Sequence, residues 1–277
     1  MQNWMKKYGT VLMSLFVLVG FGSAGTTTYT PEITVGNNAP TIDSVSDPTT
    51  VTLVEGGTTQ VSVTVLVSDP DGASDITLVN SSASAIGETN REDASCTDEG
   101  DVSSTQANFT CTFTHFYYDG GVSADSWTIL ALAQDASSGQ DTDNTRTYEV
   151  TDLSAYNITQ VPTWATLTAG TNNNAASNHL IINNTGNNDY TQFNVTAYDL
   201  LNGANTIPVS GFDLDDDVAF GSAQAMVNAT AVTVTGTFSF MTAGASAFDT
   251  VYHRADVPAG LSAGLYTASS AWTTTLT

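Results

Sequence analysis

Short runs in which apolar and polar residues alternate constrain the fold of this chain more than any other feature of its sequence. In residues 60–67 four valines occupy alternate positions: Val61, Val63, Val65 and Val67. A period of two places these side chains on one face of a β-strand. Beyond the first 24 residues no stretch keeps apolar residues three and four positions apart, so we predict almost no helix there.

Turn clusters rich in Asn, Asp, Gly and Pro separate the alternating runs. They divide the chain into two series of strands, one over residues 39–155 and one over residues 156–277. We therefore predict an all-β protein with two antiparallel β-sandwich domains in series. The predicted strands are 41–45, 51–54, 60–67, 76–79, 109–118, 127–133 and 145–150, then 163–168, 179–183, 191–199, 205–209, 231–240, 248–254 and 264–276.

Residues 1–24 have the pattern of a secretory signal peptide. Lys6 and Lys7 precede an apolar run over residues 11–19, and Gly22-Ser23-Ala24 supplies the small residues that a signal peptidase requires. The alternative is an uncleaved membrane anchor, but the apolar run, about 11 residues when it is continued to Phe21, is too short to cross a hydrocarbon core of roughly 30 Å. We predict a cleaved leader, no membrane span after cleavage, and a secreted or cell-surface location.

The charge of the chain is strongly negative. The net charge is −23, and without Lys6 and Lys7 only three arginines remain against 28 acidic residues, which gives −25. Such a surface repels phosphates and anionic headgroups, so nucleic acid and acidic membranes are excluded as partners.

Two kinds of covalent modification are predicted for an exported chain. Cys96 and Cys111 are the only cysteines. An oxidising extracellular location and an even number of cysteines favour a disulfide over a pair of free thiols. Asn-x-Ser/Thr sequons mark potential glycans, although an Asn- and Thr-rich sequence also yields several by chance. The sequons lie at Asn80, Asn108, Asn157, Asn183, Asn194 and Asn228.

Two groups of aspartates are candidates for a cation site. Asp69 and Asp71 flank a proline in a glycine turn, with Asp75 close behind, and calcium prefers carboxylate oxygens of this kind. The alternative is that Asp-Pro-Asp-Gly is simply a good turn sequence. The second and weaker group is Asp213, Asp215 and Asp217, which would share one face of a strand or form a solvated acidic loop.

The sequence offers no motif for catalysis. It contains no Gly-x-Ser-x-Gly element, phosphate loop or dinucleotide fingerprint, and His115, His179 and His253 lack metal-ligand spacing. We predict no catalytic residues and no enzymatic activity. Trp164 and Trp272, together with Tyr190, could form a sugar-stacking platform, or they could fill the cores of the sandwiches.

Several motifs resemble known surface domains. The start of the first half and its later strands resemble cadherin-like and other immunoglobulin-like repeats of microbial surface proteins, through Asn38-Ala-Pro-Thr-Ile, Glu55-Gly-Gly, Val67-Ser-Asp-Pro-Asp-Gly72, Tyr117-Tyr118-Asp119, Ser126-Trp127-Thr-Ile129 and Ala133-Gln-Asp-Ala-Ser-Ser-Gly139. The second half is similar to a β-sandwich of archaeal secreted proteins, through Ile182-Asn-Asn-Thr-Gly-Asn187, Val195-Thr-Ala-Tyr-Asp-Leu200 and Val257-Pro-Ala-Gly-Leu-Ser-Ala-Gly-Leu-Tyr266 with Trp272. The resemblance implies immunoglobulin-like folds, a surface location, and Glu55 as a further calcium ligand near the Asp69 turn.

These features together favour a non-enzymatic extracellular structural protein, a subunit of a cell-surface layer, sheath or filament. Residues 25–38 are an extended linker or a donor strand, in which Tyr29, Ile33 and Val35 alternate and could add to a sheet edge of a neighbouring copy. The expected partners are copies of the chain or other surface proteins. The alternative is a secreted adhesin or carbohydrate-binding module that binds glycans through loops at one end of a sandwich.

Overall fold

A computed structural model describes residues 28–120, 126–238 and 247–276. The predicted leader, residues 1–24, lies outside the described residues. From Asn37 onward the chain forms one compact unit, and residues 28–36 form a separate part. The described residues contain no α-helix, only two single-turn 3-10 helices at Ala73–Asp75 and Val209–Gly211. Within these residues no helix is long and apolar enough to cross a membrane.

The described residues of the first half of the compact unit form nine strands in two sheets. One sheet has the order β1-β3-β7-β6 and the other the order β2-β9-β8-β4-β5. The strands are β1 (Thr41–Val45), β2 (Thr50–Val51), β3 (Thr58–Ser68), β4 (Ile76–Ser84), β5 (Arg91–Asp93), β6 (Thr97–Ser103), β7 (Gln106–Phe116), β8 (Trp127–Asp135) and β9 (Gln140–Val150).

A hydrophobic core forms from the inward faces of these strands. The alternating valines of β3 are buried as predicted, and Val63 lies opposite Cys111 of β7 in the antiparallel register. Full burial of each such valine stabilises the fold by about 1.5–3 kcal/mol relative to its exposure. Trp127 of β8 and Tyr148 of β9 are the largest fully buried side chains of this core.

In the second half, the part of the chain that the structure describes forms twelve strands around a second core. The sheet orders are β10-β12-β19-β16-β17, with β11 also beside β19, then β18-β13-β21 and β15-β14-β20. The strands are β10 (Tyr156–Gln160), β11 (Asn174–Ala175), β12 (Leu180–Asn184), β13 (Tyr190–Thr196), β14 (Leu200–Asn202), β15 (Asn205–Ile207), β16 (Phe212–Asp215), β17 (Gln224–Ala225), β18 (Ala231–Phe238), β19 (Phe248–Ala255), β20 (Thr267–Ala268) and β21 (Thr273–Leu276).

The all-β prediction is confirmed, and the sheets are consistent with β-sandwiches. Their strand pairs are antiparallel, except that β2 runs parallel to β9. The predicted strand at 163–168 is wrong, because this segment pairs only through a single bridge at Thr163. The first core is built from residues before residue 155, and the second core from residues after it. The domain boundary at residue 155 stays a prediction.

Candidate functional site

A hydrogen-bonded group of buried polar side chains lies inside the first half, which we call the Asp119 cluster: Arg91, His115, Asp119 and Tyr148. Nδ1 of His115 lies 2.7 Å from Oδ2 of Asp119, and its Nε2 lies 2.7 Å from the hydroxyl of Tyr148. Nε of Arg91 donates to the same Oδ2 at 2.9 Å, and its terminal nitrogen donates to Oδ1. Both carboxylate oxygens of Asp119 are therefore paired with nitrogens of other side chains.

The electrostatics of this cluster keep Asp119 ionised. Burial alone raises the pKa of Asp119, but hydrogen bonds from His115 and Arg91 outweigh it, and the pKa lies below its usual range. Burial raises the pKa of Tyr148, with a further contribution from the charge of Asp119. The cluster is thus an internal ion pair that the surrounding core shields from water.

Asn187 connects the Asp119 cluster to the second half. Its amide nitrogen donates to the backbone oxygens of Asp119 and Thr151, at 2.9 and 3.1 Å, and its Oδ1 accepts from the amide of Leu153 at 2.7 Å. Asn187 is 4% exposed and lies in a loop between β12 and β13. This loop, residues 185–189, joins the two halves through side-chain and backbone hydrogen bonds.

Glu55 also lies at this joint. The resemblance to cadherin-like repeats implies a position near the Asp69 turn, but in the structure Oε1 of Glu55 accepts a hydrogen bond from the hydroxyl of Thr185 at 2.9 Å. The neighbouring amide of Gly56 donates to the backbone oxygen of Thr185 at 3.1 Å. The predicted grouping of Glu55 with the aspartates is corrected, because Glu55 precedes β3 and the aspartates follow its other end.

Three carboxylates meet at that other end of β3, and we call Asp69, Asp75 and Asp135 the acidic cluster. One oxygen of each lies within 4.8 Å of the others. Gly72 adopts φ 131°, which favours glycine, and the chain turns there into the 3-10 helix that carries Asp75. Asp135 is the last residue of β8 and lies opposite Ile76 in the antiparallel register of β4 and β8.

Asp69 is fully buried, and its Oδ2 has no hydrogen-bond partner among the described residues. Burial raises the pKa of the half-buried Asp75, and the carboxylates of Asp69 and Asp135 raise it further. The hydrogen bond from Asn37 lowers the pKa of Asp135. An unpaired buried oxygen beside two other carboxylates is electrostatically unfavourable, and a cation at this position would relieve the repulsion.

Asparagines at the start of the compact unit bind the same region. Nδ2 of Asn37 donates to Oδ2 of Asp135 at 2.9 Å, and the backbone amide and side chain of Asn38 donate to Asp71 at 2.6 and 3.1 Å. Asp71 is therefore occupied by Asn38 and lies outside the acidic cluster. The chain enters the first sandwich beside these carboxylates.

The second predicted acidic group does not form as expected. Asp213 pairs with Arg254, Nε to Oδ2 at 2.8 Å, whereas Asp215 and Asp217 accept backbone amides of the following turn. A cluster does form, but its members are Asp215, Asp216 and Asp217. Asp213 and Asp215 lie two positions apart in β16, whereas Asp217 lies beyond the end of the strand, so the three aspartates do not alternate along one strand.

The predicted covalent sites have contrasting environments. Cys96 and Cys111 lie at disulfide-bonding distance and are both buried, which is consistent with the predicted pairing. Among the sequons, Asn157 and Asn228 are exposed, and the other four asparagines are half-buried in strands. The glycans stay a prediction.

An apolar groove of about 680 Å³ opens in the second half. Two segments without regular strands, residues 164–169 and 261–266, line it, together with buried Phe212. Trp164 packs edge-on against Phe212, and its indole nitrogen donates to the backbone oxygen of Asn174 at 3.0 Å. Because Trp272 also packs against Phe212 and Tyr190 is buried, these aromatic residues serve the second core.

The segment before the compact unit, residues 28–36, has no strand pairing, and we call it the leading segment. Its three large apolar side chains are almost fully exposed: Tyr29 at 88%, Ile33 at 87% and Val35 at 82%. Exposed apolar residues concentrated in one short segment indicate a surface that associates with another.

No protein-family model matches this chain, and no curated protein is significantly similar to it. The candidate sites therefore rest on the geometry of the chain itself. Sequence reasoning missed Asp135, Arg91 and Asp119 as interacting residues. The one available signal was the scarcity of cations, since a buried arginine in so acidic a chain requires a carboxylate partner.

Proposed function

We propose that this protein is a non-enzymatic subunit of an extracellular assembly, such as a layer, sheath or filament. The observation that carries the proposal is the leading segment, whose Tyr29, Ile33 and Val35 are exposed and lie at odd positions. In an extended strand, odd positions share one face. Such a segment can add to an open sheet edge, where backbone hydrogen bonds give affinity and alternate side chains fill pockets.

Strand addition between copies gives a head-to-tail contact. Donor and acceptor are then different surfaces of the same chain, so each copy can bind one neighbour on each side. Contacts of this kind generate open filaments when the rotation between copies does not close a ring. The strong negative charge supports the same role, because it keeps unassembled copies soluble and disfavours non-specific contacts.

Deleting residues 25–36 from the mature chain, residues 25–277, should abolish assembly and leave the melting temperature unchanged. The exposed leading segment contributes little to the fold, but it supplies the donor strand. Negative-stain electron microscopy and light scattering measure assembly, and circular dichroism measures the melting temperature. Filaments that survive the deletion, or a full mature chain that stays monomeric and binds glycans saturably, would contradict the proposal.

A pair of substitutions separates the donor face from general charge effects. Ile33→Asp places a charge among the apolar positions, whereas Thr34→Asp adds the same charge on the opposite face of an extended strand. Both residues are exposed, so neither substitution should alter folding. Assembly should be lost only with Ile33→Asp.

We also propose that the acidic cluster binds calcium. The support is the unpaired Oδ2 of buried Asp69 beside Asp75 and Asp135. Calcium takes six to eight oxygen ligands, and water and backbone oxygens would complete the set. Because Asn37 bonds to Asp135, an ion here would also fix the point from which the leading segment departs.

Calcium at about 10 mM should raise the melting temperature by a few degrees relative to a chelator. That concentration exceeds the ~0.1–1 mM Kd typical of extracellular modules, which gives about 1.4–2.7 kcal/mol of stabilisation. Asp75→Asn should remove the shift without lowering the melting temperature in chelator, because it also removes charge repulsion. Asp98→Asn, an exposed control, should keep the shift. An equal shift in all three proteins would refute the site.

A further inference from the structure

The apolar groove of the second half has backbone groups free to pair with an added strand. Among the described residues, the amides of residues 166–169 and 262–266 find no hydrogen-bond partner. Both segments line the groove. An extended chain placed between or beside them could satisfy unpaired amides and carbonyls while its side chains enter the apolar space.

The composition of the groove selects an uncharged, apolar occupant. Charged residues make up 12% of the chain, but none of the residues that line the groove is charged. An acidic peptide or polar ligand would lose hydration there without gaining a counter-charge. One face of the leading segment fits this requirement, since Tyr29, Ile33 and Val35 lie at odd positions and the single charge, Glu32, lies at an even one.

The position of the groove favours a donor from another copy. β3 begins next to the contact between Gly56 and Thr185. It ends about 35 Å further on, beside Asp71, which accepts hydrogen bonds from Asn38. In the second half, β19 begins opposite Asn183, next to that same contact, and ends at Ala255, which lines the groove. The groove and the departure point of the leading segment therefore lie at ends of β19 and β3 that face away from the joint.

The reach of the leading segment is shorter than this path. The twelve residues of the mature chain before Asn37, 25–36, span at most about 43 Å when fully extended, whereas β3 and β19 together are about 60 Å long. A segment that followed these two strands within its own copy would need a longer reach. A second copy faces no such restriction, and donation from one copy to the next gives the open head-to-tail contact described above.

We propose that the apolar groove, lined by residues 164–169 and 261–266, is the acceptor for the leading segment of a second copy. The inference rests on the proposed function and names its acceptor. Leu265 provides a probe, because it lines the groove and is 81% exposed, so the fold does not depend on its burial. Ile86 is a matched control, since it is fully exposed in the first half and lies outside the groove.

Assembly of the mature chain provides the first test. Leu265→Asp should reduce filament mass more than about tenfold at a fixed concentration, because a carboxylate in the groove meets an apolar donor. Ile86→Asp should assemble like the wild type. Wild-type-like filaments with Leu265→Asp would overturn the groove as acceptor but leave the proposed function standing, whereas no filaments from the wild type would overturn both.

Cross-linking provides the second test and identifies the donor. Chains carrying Ile33→Cys are mixed with chains carrying Leu265→Cys under mild oxidation, and the expected product is a covalent dimer on a non-reducing gel. Mixing with Ile86→Cys chains should give no dimer above background. Equal cross-linking to both positions, or binding of an oligosaccharide that Leu265→Asp abolishes while filaments persist, would overturn the assignment.

Discussion

Replacing Asp119 with asparagine should lower the free energy of unfolding by about 3–5 kcal/mol, because it leaves the buried guanidinium of Arg91 without its carboxylate. Arg91 is only 9% exposed, so water has little access to its guanidinium. In a chain of this size the melting temperature should fall by about 6–20 °C. Urea unfolding followed by circular dichroism measures the change in free energy directly.

Asp213→Asn is the matched control for this substitution. Asp213 also pairs with an arginine, Arg254, but the two side chains are 26% and 27% exposed. Pairs that reach solvent contribute about 0–1 kcal/mol. Equal losses of stability for the two variants would mean that burial of the Asp119 cluster has no energetic consequence, and our account of it would fail.

The pH dependence of the Asp119 variant follows from the direction of its pKa shift. The folded-state pKa of Asp119 is depressed below its unfolded value of about 3.9. Its contribution to stability is therefore fully present above about pH 4 and is lost as the pH falls through the folded-state pKa. The stability difference between wild type and Asp119→Asn should accordingly shrink as the solution is acidified below pH 4.

The strands that sequence predicts well are those with one buried face. Burial alternates along β3 and β8, because every second side chain of each strand faces the core, and the valines of β3 show this period in the sequence itself. β6 is exposed along its whole length and carries no apolar alternation, so no local signal marks it. For residues 163–168 the sequence predicts a strand that does not form, because the apolar side chains there line a groove and do not belong to a sheet.

The candidate sites depend on pairings that a single sequence does not contain. Asp69 and Asp75 are close in the chain and were predicted together, whereas Asp135 joins them only through the register of β4 and β8. Glu55 illustrates the converse, since the length of β3 separates it from the aspartates that the resemblance placed nearby. Local turn chemistry is readable from sequence, but long-range register is set by the packed core.

Gly186→Ala should disrupt the joint between the two halves. A methyl group at this position would overlap the carbonyl oxygen of Leu153 and lie 2.9 Å from the amide of Ala155, and both are backbone atoms that cannot rotate away. The loop would have to withdraw, with loss of the bonds made by Thr185 and Asn187. We expect destabilisation of about 3 kcal/mol or more, at the upper end of overpacking.

Hydrogen exchange at the amides of Gly56 and Asn187 measures this withdrawal, because both amides bond across the joint in the wild type. Their protection should fall sharply in Gly186→Ala, while protection within β3 and β7 should change little. Gly221→Ala is the control, since an added methyl group there meets no heavy atom closer than 3.8 Å and needs no unusual backbone angle. Unchanged protection at Gly56 in Gly186→Ala would show that the loop can absorb the methyl group, and that the close backbone approach does not hold the two halves together.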